Sequence, residues 1–377
     1  MNTFPPIAID LLWLRPGKVG GTESYIRNLL EGMRKLNDEF HFVLICSKDN
    51  SDTFDALITD RRIDRIVADI DSENIGKRII WQNIHQNTLL RKNGIRHCFT
   101  PVYCRPIFNG GIKYINTIHD IQAYHYPEYH PFYEVWFSKI NWIVDKYKSE
   151  HIFAISEFVK DDLINVYKFK KEKIDVIYNP IMINKDEIIP VEQLEDQYGL
   201  KRREYYYTVA QLIPHKNLDV LLKVMRQTVS EDLNLPKKLV VSGVRGNAAE
   251  QLYRALKDEG LEKNILFTGF VDNAMRNSLY ANCRAFLFPS VFEGFGMPAV
   301  EAMYMGAPVL TTRCASIPEV TQNKAYYVND PYNVQEWIDR LIDMPEYSEV
   351  IDFEKYNEER IAKEYLRVMN CRLLKQC

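Results

Sequence analysis

Two glutamates and two glycines lie close together in the second half of the chain, in the segment Glu293-Gly-Phe-Gly-Met-Pro-Ala-Val-Glu301. Gly294 and Gly296, on either side of Phe295, allow the backbone to approach a ligand closely because glycine has no Cβ. The proline suits the first turn of a helix, whose free N–H groups attract anions. Carboxylates that accept from hydroxyls, beside N–H groups that face phosphate, suit a polyhydroxylated and phosphorylated ligand. From these residues alone, a plain strand, turn and helix with solvated glutamates remains the alternative.

Short apolar runs alternate with longer amphipathic runs along the chain, which predicts an α/β protein with parallel sheets covered by helices on both faces. The first series has predicted strands at 7–13, 40–46, 65–68, 97–100, 114–118, 152–155 and 174–178, and helices at 22–36, 74–93, 132–149 and 157–168. The second has strands at 205–210, 239–242, 265–268, 285–288, 308–312 and 325–328. The polar segment 184–204 separates the two series. We therefore predict domains at 1–185 and 186–347, followed by a helix within 348–377.

Composition limits the possible functions. The net charge of −3 gives no reason to expect a nucleic-acid partner. The chain has no run of eighteen apolar residues and begins without a basic, apolar leader, so we expect a cytoplasmic protein with no membrane span. Seven scattered cysteines favour unpaired thiols, with a zinc site at Cys98, Cys104, His119 and His125 as the less favoured alternative.

The segment from Glu293 to Glu301 resembles the Glu, seven residues, Glu signature of family 4 retaining nucleotide-sugar glycosyltransferases. The resemblance continues through 307–312 and 316–320 and, upstream, through Pro214-His215-Lys216-Asn217. It implies the GT-B fold: two doubly wound, Rossmann-like domains facing a central cleft, with the last helix returning to the first domain. It also implies transfer of a hexose of mannose or glucose type from a GDP- or UDP-sugar co-substrate, with retained configuration, no metal and no other cofactor.

The resemblance extends to the acceptor. Variants such as Pro-x-Lys-Asn and Ile-Pro-Glu-Val are similar to those of bacterial mannosyltransferases in polysaccharide and lipopolysaccharide assembly, which implies a glycan or lipid-linked acceptor. Two alternatives remain open: a nucleotide-sugar epimerase-like GT-B enzyme, and a non-catalytic partner subunit of a glycosyltransferase complex.

In the second domain, the resemblance assigns Lys216 to the departing diphosphate, Glu293 to the sugar and Glu301 to the ribose hydroxyls. The glycine-paired loop of Gly294, Phe295 and Gly296 would line the same ligand.

One feature departs from the family pattern. Where many members have an arginine, this chain has Gln211 and, immediately before Lys216, His215. Either His215 or Arg245 is therefore left to supply the second donor to the phosphates, with Gln211 also near the ligand.

In the first domain, Gly20 and Gly21 precede a helix for which Thr22 is the predicted N-cap. A glycine pair before a helix N-terminus can bind phosphate, and the resemblance places this pair beside the diphosphate and the acceptor. His119 follows a strand, and the resemblance makes it a catalytic contact to a sugar hydroxyl. We expect Asp120 to orient its imidazole.

The segment 131–148 is rich in aromatic residues and carries Lys139, Lys146 and Lys148. Trp136, Ile140 and Ile143 recur at helical spacing, as a face packed on the sheet would. The alternative is that this helix contacts a membrane surface, with its aromatic residues in the interface and its lysines near anionic headgroups. Lipid-linked acceptors in similar enzymes support this alternative, a peripheral contact at the inner face of the plasma membrane, although the packed helix is favoured.

Overall fold

The computed structural model describes residues 4–244 and 246–374, and the chain divides into two compact units. One unit comprises Met1–Met182 together with Glu354–Cys377, and the other comprises Ile183–Phe353. The observed divisions thus fall at 182/183 and 353/354, where the sequence had placed them at 185/186 and 347/348.

The first unit contains a seven-stranded sheet in which all neighbouring strands are parallel, in the order β3-β2-β1-β4-β5-β6-β7. Its strands are β1 (Ile7–Asp10), β2 (Phe42–Cys46), β3 (Ile63–Val67), β4 (His97–Thr100), β5 (Lys113–Ile118), β6 (His151–Ala154) and β7 (Ile174–Val176). Its helices are α1 (Gly21–Lys35), α2 (Ile75–Trp81), α3 (Asn87–Lys92), α4 (Gln122–His125), α5 (Phe132–Lys148) and α6 (Glu157–Asn165), with a π-helical turn at Gln82–Gln86.

Both faces of this sheet are covered, as the unbroken apolar strands predict. In β1, Ile7 and Ile9 pack into one hydrophobic cluster with α1, whereas Ala8 packs into another on the opposite face.

The second unit repeats this plan with six parallel strands in the order β10-β9-β8-β11-β12-β13. The strands are β8 (Tyr206–Val209), β9 (Leu239–Ser242), β10 (Ile265–Gly269), β11 (Ala285–Phe288), β12 (Val309–Thr312) and β13 (Tyr326–Val328). The helices are α7 (Val191–Tyr198), α8 (Leu218–Ser230), α9 (Gly246–Asp258), α10 (Asn273–Asn282), α11 (Met297–Tyr304), α12 (Ile317–Val320) and α13 (Val334–Ile342). The first strand of each unit, β1 or β8, lies in the interior of its sheet, and the strand order reverses beside it. Ligand sites are therefore expected at the carboxyl ends of β1 and β4, and of β8 and β11.

The last helix, α14 (Glu358–Met369), packs against α1 within the first unit. The contact is so close that a Cβ at Gly32 would lie 2.4 Å from the backbone oxygen of Glu358. Below it, the Tyr25 hydroxyl is 2.8 Å from that of Tyr365 and 3.0 Å from Oγ1 of Thr117.

Two predicted elements differ from the observed ones around Asp10. The strand predicted to reach Trp13 ends at Asp10, because the Asp10 carboxylate accepts from the Leu12 N–H and its carbonyl accepts from the Trp13 indole. The single helix predicted at 74–93 contains the π-helical turn, from which Gln82 and Gln86 both donate to Asp10 Oδ2, at 3.0 and 2.8 Å.

The core face of α5 is the opposite of the one that helical spacing suggested. The residues turned inward are Val135, Ser138, Asn141, Trp142 and Asp145, whereas Trp136, Ile140 and Ile143 are 53%, 46% and 47% exposed. Hydrogen bonds hold the polar inward face: Asp145 accepts from Asn116 and from Ser149. Burial raises the pKa of Asp145 to about 7.

Five cysteines are unpaired as predicted, namely Cys46, Cys98, Cys104, Cys283 and Cys314, but Cys371 is disulfide-bonded, so the prediction of free thiols is wrong for that residue. Within 4–244 and 246–374, none of the helices combines the length and the apolar content needed to cross a membrane.

Candidate active site

The glycine-paired loop begins where β11 ends and finishes at the start of α11. Gly296 caps this helix with φ of 91°, a left-handed conformation in which a Cβ would meet the Phe288 ring at 3.4 Å. The hydroxyl of Ser316 donates to the carbonyls of Glu293 and Phe295, at 2.9 and 3.1 Å. The loop is therefore fixed by its neighbours, and its first glutamate is held in one place.

Glu293 forms an ion pair with Lys216, whose Nζ lies 2.6 Å from Glu293 Oε1. The lysine ends the turn after β8, and the glutamate follows the adjacent strand β11, so the pair sits where the strand order reverses. Their side chains are 20% and 12% exposed. The sequence assigned both residues to one ligand but did not predict that they bind each other.

The Lys216 turn is attached to the Glu293 loop through the backbone, because the N–H of Val291 donates to the His215 carbonyl at 2.9 Å. Gln211 is exposed in the loop that follows β8. Arg245, the other residue considered for the phosphates, lies outside the described residues.

Glu301, one turn inside α11, is only 9% exposed. Its Oε2 accepts from the Tyr280 hydroxyl at 3.1 Å and lies 3.9 Å from Nε of Arg276. These contacts fix one carboxylate oxygen, Oε2, whereas Oε1 has no hydrogen bond within 4–244 and 246–374. Sequence reasoning did not include Tyr280 and Arg276, since nothing in α10 marks them as neighbours of Glu301.

In the first unit, α1 begins one residue earlier than predicted. Its N-cap is Gly20, with φ of 61° and ψ of −134°, and Thr22 lies inside the helix, so the predicted cap at Thr22 is wrong. A side chain would strain this backbone at Gly20, whereas a Cβ at Gly21 would meet nothing within 4 Å. Glu23 holds the loop by accepting from the Gly17 N–H at 2.8 Å.

His119 lies at the carboxyl end of β5, with its Nε2 2.8 Å from the carbonyl of Pro101 and its ring edge-on to Tyr25. A carbonyl oxygen can only accept, so Nε2 carries the proton and Nδ1 of the neutral ring is an acceptor. Burial lowers the pKa of His119 to about 4, and the Pro101 bond only partly opposes this shift. Pro101 and Tyr25 thus orient the imidazole, while Asp120 Oδ1 accepts from the Gln122 N–H.

The structure therefore brings together Lys216 and Glu293 within the second unit, beside Glu301 on the helix that starts from the same loop. Gly20, Gly21 and His119 belong to the first unit, where Tyr25 of α1 connects the helix to the histidine.

Two families match this chain in consecutive stretches. The family described as Glycosyltransferase Family 4 matches residues 19–185, and the one described as Glycosyl transferases group 1 matches residues 191–360. Together they span most of both units.

Two relatives named as O-antigen chain mannosyltransferases are similar to this chain. The chain is 27% identical over 332 residues to the O-antigen chain mannosyltransferase RfbU of Salmonella typhimurium, which covers 86% of this chain and 87% of the relative. It is 29% identical over 227 residues to the O-antigen chain mannosyltransferase B of Escherichia coli, at 58% of each chain.

A solved structure shows the same fold. HepE from Anabaena, crystallised with UDP-glucose, superposes with a TM-score of 0.66 over 97% of this chain and 95% of its own, at 18% identity. The predicted GT-B fold is confirmed. With two Rossmann-like sheets and matches along both units, the chain belongs to the group 1, family 4 glycosyltransferases.

Proposed function

We propose that this glycosyltransferase moves a hexose, with mannose as the first candidate, from a nucleotide-diphosphate sugar to a glycan or lipid-linked acceptor of a bacterial surface polysaccharide. The observation that carries the proposal is the Lys216–Glu293 pair at the point where the strand order of the second sheet reverses. The names of the O-antigen mannosyltransferase relatives support the choice of sugar and pathway class. An epimerase or a non-catalytic subunit is not favoured.

The proposed chemistry places opposite charges on the two sides of the bond that breaks. As the glycosyl–phosphate bond opens, the sugar becomes positive and the diphosphate negative, and placed charges stabilise both. Lys216 and the positive N-terminal end of α11 would face the phosphates. Glu293 would accept from sugar hydroxyls, and Glu301 from the ribose through its Oε1.

In the first unit, the neutral His119 would accept a hydrogen bond from a sugar hydroxyl through Nδ1. It would not act as a proton donor, because its Nε2–H is already bound to Pro101. The loop of Gly20 and Gly21, with its free helical N–H groups, would bind an anionic or hydroxylated part of a substrate.

We also propose that the reaction retains the anomeric configuration and needs no metal, with Lys216 supplying the positive charge beside the diphosphate. The anomer of the product, followed by NMR, tests the first statement. Transfer rates after dialysis against a chelator, with and without added Mg²⁺, test the second.

The base of the donor nucleotide is identified by binding. A thermal-shift panel of GDP, UDP, ADP and dTDP identifies the nucleotide, because ligand that binds the folded state raises its melting temperature. Labelled sugar nucleotides of that base are then incubated with lipid extract from polysaccharide-producing bacteria. Label that enters the extract with the native chain, but not with Lys216→Met, supports the proposal. The absence of both transfer and hydrolysis with every donor tested would refute the proposal.

We further propose peripheral contact with anionic membranes through α5. The support is the outward aromatic and aliphatic face of this helix, bordered by Lys139, Lys146 and Lys148. Sedimentation with anionic and neutral vesicles, at low and physiological salt, tests it. Equal pelleting with both kinds of vesicle would remove the electrostatic part of the proposal.

A further inference from the structure

The last helix, α14, contributes a tyrosine to the surroundings of His119. Tyr365 is fully buried, and its ring packs against those of Phe99 and Phe153 at centroid distances of 5.7 and 4.4 Å. Its hydroxyl lies 2.8 Å from that of Tyr25, whose ring is nearly perpendicular to the His119 imidazole at a centroid distance of 4.9 Å. A residue close to the end of the chain is therefore linked, through one other side chain, to the histidine assigned to the sugar.

Three buried hydroxyl groups meet at Tyr25. Its oxygen lies 3.0 Å from Oγ1 of Thr117 and 2.8 Å from the hydroxyl of Tyr365, and all three residues are fully buried. Because a phenol has one proton, the Tyr25 hydroxyl donates to one neighbour and accepts from the other. Thr117 lies two positions before His119, so both side chains point to the same face of the sheet at β5. Tyr25 contacts both of them.

These hydroxyls are not needed to fill the space. Phenylalanine would fill it equally well, and a buried hydroxyl is unfavourable unless it finds a partner. Paired hydroxyls do what apolar packing does not, since they fix a direction. The Tyr25 ring cannot move away from the imidazole without breaking its hydrogen bond to β5 or to α14. Burial also raises the pKa of Tyr25 and of Tyr365 above the ordinary value of a phenol, so the three groups stay un-ionised.

The register between α1 and α14 brings Tyr365 to Tyr25. At the other end of the contact, Gly32 lies against the backbone of Glu358, whose carboxylate also pairs with Lys35 at 2.7 Å. Tyr25 is seven residues before Gly32, and Tyr365 is seven residues after Glu358. The two contacts are therefore two turns apart on each of two antiparallel helices. A shift of either helix along the other would separate the two phenols.

From these contacts we propose that Tyr365 is a positioning residue for His119 and acts through the hydroxyl of Tyr25. Tyr365 holds the Tyr25 ring against the imidazole, while the Pro101 carbonyl binds the Nε2–H, and together they keep Nδ1 in one orientation. The inference rests on the proposed function for the part that His119 takes in sugar transfer. The orientation of the ring is measured without substrate, so the two proposals can fail separately.

The first test observes the imidazole in the full-length chain by NMR, with histidine isotope-labelled at Cε1. The His119 signal is the one that is missing from His119→Ala. Tyr365→Phe should shift this signal, because the ring current of Tyr25 at the imidazole depends on where the Tyr25 ring lies. Tyr114→Phe is the matched control: it removes another buried phenol hydroxyl of the first unit, which donates to Asn87 at 2.8 Å, and should leave the signal unchanged. No shift in Tyr365→Phe, or equal shifts in both variants, would overturn the proposal.

A second comparison tests the route through Tyr25. Tyr25→Phe keeps the ring but removes both of its hydrogen bonds, so it should shift the His119 signal at least as much as Tyr365→Phe does. Tyr365→Phe added to Tyr25→Phe should cause no further shift. A further shift of the same size would show that Tyr365 acts by another route, and the proposal would be wrong. If Tyr365→Phe folds poorly, Tyr25→Phe against Tyr114→Phe decides the question, and an unchanged signal in Tyr25→Phe overturns it.

The third test is a double-mutant cycle on the rate of sugar transfer. Tyr365→Phe should lower kcat about two- to tenfold, the scale of one hydrogen bond. In the His119→Ala background, the same substitution should have no further effect. Equal slowing in both backgrounds would mean that Tyr365 acts on the fold in general, which would contradict the proposal. If His119→Ala itself leaves the rate unchanged, the assigned role of His119 is wrong, and the NMR comparison decides the positioning.

Discussion

Replacing Glu293 by glutamine should strengthen the binding of a nucleoside diphosphate while slowing sugar transfer. In the structure, Lys216 is already occupied by Glu293, at 2.6 Å. A diphosphate that binds Lys216 must therefore compete with the carboxylate for the charge of the ammonium group. Glutamine retains the shape and one acceptor oxygen but removes the negative charge, so the lysine becomes available.

The size of this effect follows from the geometry of the pair. Two unit charges at this separation attract by about 6 kcal/mol with an effective dielectric constant of about 20, and desolvation cancels most of this gain. Exposed pairs retain about 0–1 kcal/mol, whereas removing one partner of a buried pair costs about 3–5 kcal/mol. With side chains 20% and 12% exposed, we expect a net value of about 1–2 kcal/mol. This corresponds to an increase in affinity of about five- to thirtyfold.

Titration calorimetry with GDP and UDP, and initial rates with the matching sugar nucleotide, check the prediction. Glu293→Gln should bind the nucleoside diphosphate more tightly and transfer sugar about a hundredfold more slowly, the scale of one lost transition-state interaction. Lys216→Met should lose both binding and rate. Glu192→Gln, an exposed glutamate of α7, is the control and should change neither. If Glu293→Gln weakens the diphosphate as much as Lys216→Met does, the reasoning is refuted.

Three further predictions concern other contacts. Gly32→Ala should destabilise the first unit by about 1–3 kcal/mol, since its Cβ would meet the α14 backbone at 2.4 Å, whereas Gly76→Ala, with nothing nearer than 3.8 Å, should be neutral or stabilising in urea unfolding. Glu301→Ala should raise the KM for the sugar nucleotide about tenfold or more with a smaller change in kcat, and Tyr280→Phe should do so less. Burial lowers the pKa of His119 from 6.5 in the unfolded chain to about 4 in the folded chain, so the unfolded chain binds this proton first as the pH falls. The free energy of unfolding should therefore decrease as the pH falls from 6.5 to about 4, and it should decrease less in His119→Gln.

Much of the fold follows from the sequence because the physical signal is local. Strands β9 and β11 are short, mainly apolar runs, and the predicted bounds of β4, β9 and β11 coincide with the observed ones. A strand buried on both faces reads as one unbroken apolar run, and this pattern is hard to confuse with a surface loop.

The sequence-based predictions fail where buried polar side chains depart from the usual apolar pattern. The inward face of α5 was mistaken because the helical rule assumes that buried residues are apolar. Here Ser138, Asn141 and Asp145 are buried, and Asn116 and Ser149 supply hydrogen bonds to Asp145 that make this tolerable. No pattern within α5 alone reveals those partners.

The sequence named candidate site residues, but it did not predict the contacts between them. Lys216 and Glu293 are 77 positions apart, and they meet only because β8 and β11 are neighbours at the reversal of the strand order. For the same reason, the sequence of α11 does not reveal Tyr280, whose hydroxyl fixes the orientation of the Glu301 carboxylate.

The ion pair also bears on how a complete donor would be chosen over its product. A nucleoside diphosphate alone can satisfy Lys216, but it leaves Glu293 partly buried without a partner. A free sugar offers hydroxyls to Glu293 but takes nothing from Lys216. In the proposed complex, only an intact nucleotide sugar compensates both groups at once, so the resting pair disfavours the two fragments relative to the whole. After transfer, the pair can form again as the diphosphate leaves. Product release would then be helped by the same contact that the donor has to break, and Glu293→Gln should slow that release as it tightens diphosphate binding.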